Sequence, residues 1–265
     1  VHIKPTLIAS RESRRRISIR ALRTKAGIVI GFNERKSHNI IDLNACPVTK
    51  GELLSLLPEL RKVLGKLLKN QNPVTLHITL TDTGIQLVLE LNQDPDLEAR
   101  EILGGFAQSH NLASVAVKVE GAMDSIAKIR NPILKFGSTT VSIPNGAFLQ
   151  ASEEGEKALG DVVIAEGQGF QKILDLFSGL GTFGLRLAEG AHVHAVEGDG
   201  KLLDRLQSSA NLNPLLKGVT TEHRDLFRRP LLVSELDGYD FAIFDPPRTG
   251  AKAQVSELAK SNVPL

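Results

Sequence analysis

The chain has 265 residues, 42% hydrophobic and 23% charged, an ordinary globular composition that leaves room for one large domain or two smaller ones and excludes extensive disorder. No stretch reaches the roughly 18 to 20 consecutive apolar residues that a bilayer span requires, and the basic start, Val1 to Arg16, is not followed by an apolar segment, so a cytoplasmic protein is expected. The formal charge of +2 conceals an asymmetry, because residues 1–36 carry ten Lys or Arg against two Glu and the remainder is net −6.

The basic segment has two readings. Clustered Arg14, Arg15 and Arg16 can displace counterions from a polyanion such as RNA. Equally, Arg14, Arg16 and Arg20 share one face of a two-residue period while Ile17 and Ile19 share the other, as in an amphipathic strand. Strands are predicted at Ile17 to Leu22 and Gly27 to Phe32 as an antiparallel pair, with a third at Asn39 to Leu43. The single cysteine, Cys46, cannot form an internal disulfide, nor by itself the roughly four-ligand site that structural zinc needs.

A helix is predicted over Thr49 to Leu68, with Thr49 as cap, Glu52 completing a capping box, and leucines at helical spacing. Val74 to Leu80 and Gly84 to Leu91 form a predicted hairpin, followed by a helix from Pro95 to Ser109 and a strand from Ala113 to Val119. From about Pro144 the rhythm changes to short apolar strands alternating with helices. Helices are predicted at Glu153 to Ile164, Thr182 to Glu189 and Lys201 to Ala210, and strands at Lys172 to Phe177, His192 to Glu197, Val219 to His223 and Asp240 to Phe244. That alternation predicts an α/β, doubly wound Rossmann-like domain over residues 144–265, preceded by a mixed α+β domain over 1–143.

The strongest local signal is Ile173-Leu-Asp-Leu-Phe-Ser-Gly-Leu-Gly-Thr-Phe-Gly-Leu185, a strand running into Gly179 and Gly181, where backbone N–H groups can approach a ligand. Gly179, Gly181 and Gly184 also satisfy the dinucleotide pattern G-x-G-x-x-G, and Glu197 follows where an acid would bind a ribose, so spacing alone does not separate NAD from S-adenosylmethionine. Two features favour the latter. Asp175 would repel a diphosphate but attract a sulfonium or amino group. Asp245-Pro-Pro-Arg248 follows an apolar strand at the carboxyl edge, where such sheets bind ligands, although Asp-Pro-Pro is also a plain strand-ending turn. His192 and His194 alternate on one strand without a third ligand nearby and read as surface or packing residues.

Asn145-Gly-Ala-Phe-Leu-Gln-Ala151, Asp175-Leu-Phe-Ser-Gly-Leu-Gly-Thr-Phe-Gly-Leu185, Val196-Glu-Gly198 and Asp245-Pro-Pro-Arg-Thr-Gly250 together resemble the RNA uracil-5-methyltransferase family. Arg14-Arg-Arg-Ile-Ser-Ile19, Gly31-Phe32 and Ile41-Asp-Leu-Asn-Ala-Cys-Pro47 resemble its iron–sulfur, ribosomal-RNA branch. The resemblance implies methyl transfer from S-adenosylmethionine to carbon 5 of a uridine, with 23S rRNA favoured over tRNA and a monomer expected. It implies a cofactor pocket lined by Gln150, Asp175, Phe177, Gly179, Gly181, Thr182, Glu197, Asp225 and Asp245, with Glu197 taking the ribose hydroxyls. Thr182 and Asp225 depart from the asparagine often found there, and both keep a hydrogen-bonding oxygen.

Cys46 matches the last ligand of a four-cysteine [4Fe–4S] site whose other three ligands precede this region; its alternative reading is an inert, buried thiol. In this family a cysteine thiolate adds to carbon 6 of uracil to activate carbon 5, and a base later removes the carbon 5 proton. Both groups belong beyond Asp-Pro-x-Arg, so the catalytic nucleophile is expected C-terminal to Leu265, leaving a sheet with an unpaired edge and a chain that binds donor weakly and does not turn over. The competing readings are an NAD-dependent oxidoreductase built on Gly179, Gly181 and Gly184, and a noncatalytic RNA-binding protein.

Overall fold

The computed structural model describes residue 6 and residues 8–265. The chain folds as two compact units, one comprising the residues up to Ile133 together with Asn145–Gly155, the other Leu134–Pro144 together with Glu156–Leu265. The single boundary expected at 143/144 is therefore an exchange of two short segments. Residues 134–144 form a hairpin that pairs within the second unit, and residues 145–155 return to hydrogen-bond the first.

The first unit is a seven-stranded sheet in the order β3-β2-β1-β4-β5-β6-β7. Its hairpins are β1 (Arg16–Thr24) with β2 (Gly27–Asn33), extended by β3 (Ile40–Asp42), then β4 (Val74–Thr81) with β5 (Gly84–Glu90), and β6 (Ser114–Val119) with β7 (Ala122–Lys128). The side-chain period of two sorts each strand. Ile17, Ile19, Leu76, Ile78, Leu87, Leu89, Val115 and Val117 are all buried on one face. That face joins Leu57, Leu60, Leu64, Leu103 and Phe106 in one core, from the helices α2 (Leu57–Leu67) and α3 (Leu97–Ser109). β5 and β6 run parallel, as a connection long enough to contain α3 allows.

The helix expected from Thr49 is broken. A short α1 (Gly51–Ser55) precedes α2, and Pro58 sits in the first turn of α2, where its missing N–H costs nothing but where an uninterrupted helix could not pass. The capping box does not form. Thr49 Oγ1 donates to Cys46 Sγ at 3.2 Å, and α1 begins without a side-chain cap. At α3 the cap is Asp96, which accepts from the Ala99 N–H at 2.9 Å.

In the second unit, β8 (Ile133–Phe136) and β9 (Thr139–Ser142) make a two-stranded hairpin. After α4 (Glu153–Gly167) comes a wholly parallel sheet of β10 (Lys172–Leu176), β11 (His192–Glu197), β12 (Gly218–His223) and β13 (Phe241–Phe244), ordered β12-β11-β10-β13. Its connections carry α5 (Gly184–Leu187), α6 (Gly200–Asn211) and α7 (Val233–Leu236), and α8 (Lys252–Leu258) follows β13. Alternate strand residues feed two cores on opposite faces: Ile173, Val193, Phe241 and Ile243 pack with Phe183 and Leu187, whereas Leu174, Leu176, Val196 and Ala242 pack with Leu236 and Leu258. Two covered faces are what an all-parallel sheet requires, and they make this unit the expected doubly wound, Rossmann-like domain. The outer edge of β13, expected to be unpaired, donates the Ala242 N–H to the Pro264 carbonyl at 2.8 Å. Among the described residues no helix is long and apolar enough to cross a membrane.

Candidate functional site

At the carboxyl end of β10 the chain turns through three left-handed residues within five, Phe177 at φ 59°, Gly179 at 55° and Gly181 at 82°. Glycine takes this conformation freely, and Phe177 is held in it by its ring contacts with Phe227 (5.4 Å between centroids) and Phe244 (5.9 Å). A side chain at Gly181 would approach Leu185 and Leu206 to 2.8 and 3.0 Å. At Gly184 the obstacle is polar. A Cβ there would stand 2.4 Å from Asp175 Oδ2, the atom that accepts the Gly184 N–H at 3.1 Å. The glycine pattern is thus explained by packing and by one carboxylate, without a diphosphate. The helix predicted from Thr182 to Glu189 shrinks to the single turn of α5, because Asp175 fixes its first residue and glycines flank it.

Asp175 is 2% exposed. Burial, reinforced by the charges of Asp245 and Glu197, pushes its carboxyl up to about 7, against the Gly184 hydrogen bond that lowers it. One of its two oxygens, Oδ2, is committed to the Gly184 N–H beneath the turn. Glu197, at the end of β11, closes the turn from the other side: Oε2 accepts the Gly179 N–H at 2.9 Å, and Oε1 accepts those of Gly198 and Asp199 at 2.7 and 2.9 Å. Three of its roughly four lone-pair sites are used, leaving room for about one more donor. Asp245 follows β13, whose Phe244 pairs with Leu176, and its carboxyl is raised by partial desolvation although the residue as a whole is exposed. Three carboxylates therefore influence one turn, an arrangement that favours a cationic ligand over a diphosphate.

Asp225 lies beyond β12 and shapes a local turn, with Oδ1 accepting the N–H groups of Phe227 and Arg228 at 2.9 and 3.3 Å and Oδ2 standing 3.5 Å from Arg228 Nε. Thr182 is half-buried, and its carbonyl accepts from Arg186 Nε at 3.1 Å. Gln150 belongs to the first unit, so the cluster assembled here consists of second-unit residues.

Sequence reasoning missed two residues. Phe227 is half-exposed beside Phe177 and offers a flat apolar surface next to Asp225; its signal was an aromatic residue stranded in the polar run Asp225-Leu-Phe-Arg-Arg229. Ser178 is buried, and its hydroxyl meets no hydrogen-bond partner among the described residues, an unmet donor and acceptor at the turn itself. His194 is held by Thr220 Oγ1 at 2.8 Å and stacks on Tyr239, so it packs as expected.

In the first unit the arginines separate. Arg14 is exposed and Arg16 half-exposed, but Arg15 is buried and cannot meet a phosphate, because it falls on the Ile17 and Ile19 side of the strand period. Cys46 is half-buried. Partial desolvation alone would raise its thiol, but hydrogen bonds from Thr49 Oγ1 and the Val48 and Thr49 N–H groups, with the Arg14 charge, bring it below the usual value. No group of three or more His, Cys, Asp or Glu capable of holding a metal occurs among the described residues. One thiolate does not fit an iron–sulfur cluster.

No protein-family model matches the chain. It is 37% identical over 257 residues to a Rhizobium meliloti protein named an uncharacterized RNA methyltransferase, covering 97% of this chain and 61% of that protein. A Brucella melitensis protein of the same name is 39% identical over 263 residues, 99% of this chain and 62% of its own. The 23S rRNA (uracil(1939)-C(5))-methyltransferase of Tolumonas auensis is 28% identical over 253 residues, 93% of this chain and 57% of that enzyme. The chain thus spans about three fifths of the length of these relatives. In fold it is similar to Pyrococcus abyssi tRNA (uracil-54, C5)-methyltransferase, solved with S-adenosyl-L-homocysteine, at a TM-score of 0.70 and 20% identity over 96% of this chain and 64% of that one. Similarity along almost every residue to proteins named RNA methyltransferases, joined to a Rossmann-like unit with a carboxylate-ringed glycine turn, relates this chain to the RNA methyltransferases.

Proposed function

We propose that the protein takes part in S-adenosylmethionine-dependent methylation of carbon 5 of a uridine in RNA, with 23S rRNA as the substrate class and the cytoplasm as its place. The observation that carries this reading is the group of Asp175, Glu197 and Asp245 around the turn at Gly179, which suits a donor with a positive sulfonium and disfavours the diphosphate of NAD. The unpartnered Ser178 hydroxyl supports a polar ligand at the same turn. When bound, the donor supplies an electrophilic methyl group.

Glu197, already oriented by three backbone N–H groups, would accept a ribose hydroxyl. Phe227 and Phe177 offer an apolar wall for the adenine, and Asp175 keeps the turn in shape through Gly184. Thr182 and Asp225 remain proposed contacts of the same pocket, and Gln150 a proposed contact of the donor. The one cysteine of the sequence, Cys46, accepts the Thr49 hydroxyl beside α1 in the first unit.

The ribosomal substrate is supported by the relative named a 23S rRNA methyltransferase, at 28% identity against 20% for the neighbour named a tRNA methyltransferase. For an iron–sulfur cluster the described residues offer one thiol, Cys46. Equilibrium titration with S-adenosylhomocysteine and, separately, NADH tests the cofactor: saturable binding of the first alone is expected, and preferential binding of NADH overturns the reading.

A further inference from the structure

The second face of the first-unit sheet is open only in part, with Thr79, Gln86, Val88, Ser114 and Ala116 buried. Strand register places Arg20, Thr75, Glu90, Lys118 and Met123 in one cross-strand row and Ser18, His77, Val88 and Ala116 in the next. A third row holds Arg16, Thr79, Gln86 and Ser114, and residues 145–147 lie over it, with Ser114 Oγ 3.4 Å from Asn145 Oδ1. Between that strap and the Glu90 row is a cavity of about 150 Å³. Its lining includes buried Val88 as an apolar patch, Met123 as a side wall, and the polar tips of Arg16, His77, Glu90 and Lys118.

The polar rim is ordered. Lys118 Nζ donates to Glu90 Oε1 at 2.6 Å, and His77 Nε2 lies 3.5 Å from the same oxygen while its Nδ1 is 3.1 Å from Ser18 Oγ. Glu90 is held below the usual carboxylate range, chiefly by the Lys118 hydrogen bond, so it is an ionised acceptor. Both recorded contacts use Oε1, which leaves Oε2 facing no partner of its own among the described residues. Arg16 reaches the Leu149 carbonyl at 3.4 Å and lies 5.1 Å over the Phe148 ring, which holds its cation at the rim.

A pocket with an apolar patch, a charged acceptor and flanking cations has the chemistry of a nucleobase slot beside a phosphate track. We infer that this cavity receives one unpaired RNA base bearing an exocyclic amine, which donates to Glu90 Oε2 while Arg16 and Lys118 attract the adjoining phosphates. Uracil lacks the amine and would set a carbonyl against the carboxylate. The slot therefore reads a nucleotide other than the modified uridine. This rests on the RNA reading above but not on the cofactor turn, which belongs to the other unit.

The test uses fluorescence anisotropy with labelled ten-nucleotide oligocytidylate and oligouridylate, which differ in the amine at the base edge. The protein as it stands should bind oligocytidylate about tenfold more tightly, as for an ionised, half-buried acceptor that loses its donor. Glu90→Ala should erase that ratio, and His77→Trp, which fills the slot, should weaken oligocytidylate about tenfold with S-adenosylhomocysteine affinity unchanged. Should His77→Trp fail to fold, the Glu90→Ala ratio decides alone. Equal affinity for the two oligonucleotides, or an unchanged ratio in Glu90→Ala, overturns the slot while leaving RNA recognition intact. No binding of either RNA overturns both.

Discussion

Replacing Asp175 by Asn isolates the cost of keeping a carboxyl beneath the glycine turn. The ordinary carboxyl titrates near 3.8, and in the folded protein this one is pushed up to about 7. Between those values the folded state binds a proton that the unfolded state lacks, so stability falls as pH rises through this window and the whole penalty is present above about 7. Three pH units at about 1.36 kcal/mol each put the penalty at about 4 kcal/mol at most. Asn removes the titration yet keeps an oxygen able to accept the Gly184 N–H. The variant should therefore match the natural protein near pH 4 and exceed it by up to about 4 kcal/mol at pH 8. Because the chain has no Trp and one Tyr, urea unfolding is best followed by far-ultraviolet circular dichroism, and the difference between the two proteins cancels the other carboxylates. A stability difference that is the same at pH 4 and pH 8 would refute the buried, protonated carboxyl. Conversely, a cation bound at the turn should draw that proton off, and calorimetric titration in buffers of different ionisation enthalpy would register its release.

Gly184→Ala forces a methyl group against Asp175 Oδ2 and should cost about 1–3 kcal/mol, seen as a lower urea midpoint, with S-adenosylhomocysteine affinity falling in step. Glu197→Ala strands three backbone N–H groups and removes the ribose acceptor; calorimetry should show S-adenosylhomocysteine binding at least about tenfold weaker, and unaltered binding would count against this site. Arg14→Gln should weaken RNA binding and reduce the salt slope by about one, whereas Arg15→Gln should act through stability, a contrast read from anisotropy at several salt concentrations and from melting. Leu60→Ala, at a fully buried position in the first-unit core, should lower stability by about 2–5 kcal/mol in denaturant unfolding.

The features legible in the sequence are those written in short-range periodicity. Ile17 and Ile19 against Arg16 and Arg20 announced β1 and its two faces, and the run from Ile173 to Gly181 announced a strand entering a turn. Arg15 is the exception, because its charge suggests a phosphate contact while its parity with Ile17 and Ile19 turns it inward. What escaped depends on contacts distant in the chain or on competition between local options. Thr49 had Cys46 within reach and donated to it rather than capping a helix, and Pro58 divided a leucine pattern that is continuous on paper. β7 carries mostly exposed residues, so no apolar alternation marked it. Asp175 looked like a ligand contact because the closeness of Gly184, nine residues on, exists only after folding. Ser178 and Phe227 are ordinary residue types whose interest lies in a missing partner and a half-open ring, neither of which is a property of sequence.

The exchange of two short segments between the units bears on how such a chain can be recombined. Thr139 and Ser138 accept from the Asn213 amide within the second unit, while Ala151 accepts the Arg15 N–H within the first. A cut at any single peptide bond near residue 144 hands one half a hairpin it does not use and deprives the other of it, so both products expose surfaces that were meant to be covered. Swapping modules among relatives at one junction would fail for this reason, and a working chimera needs grafts that respect the stitch at 134–155 as a block. Inheritance of the two parts is thereby tied together by backbone routing, independently of any chemistry they share.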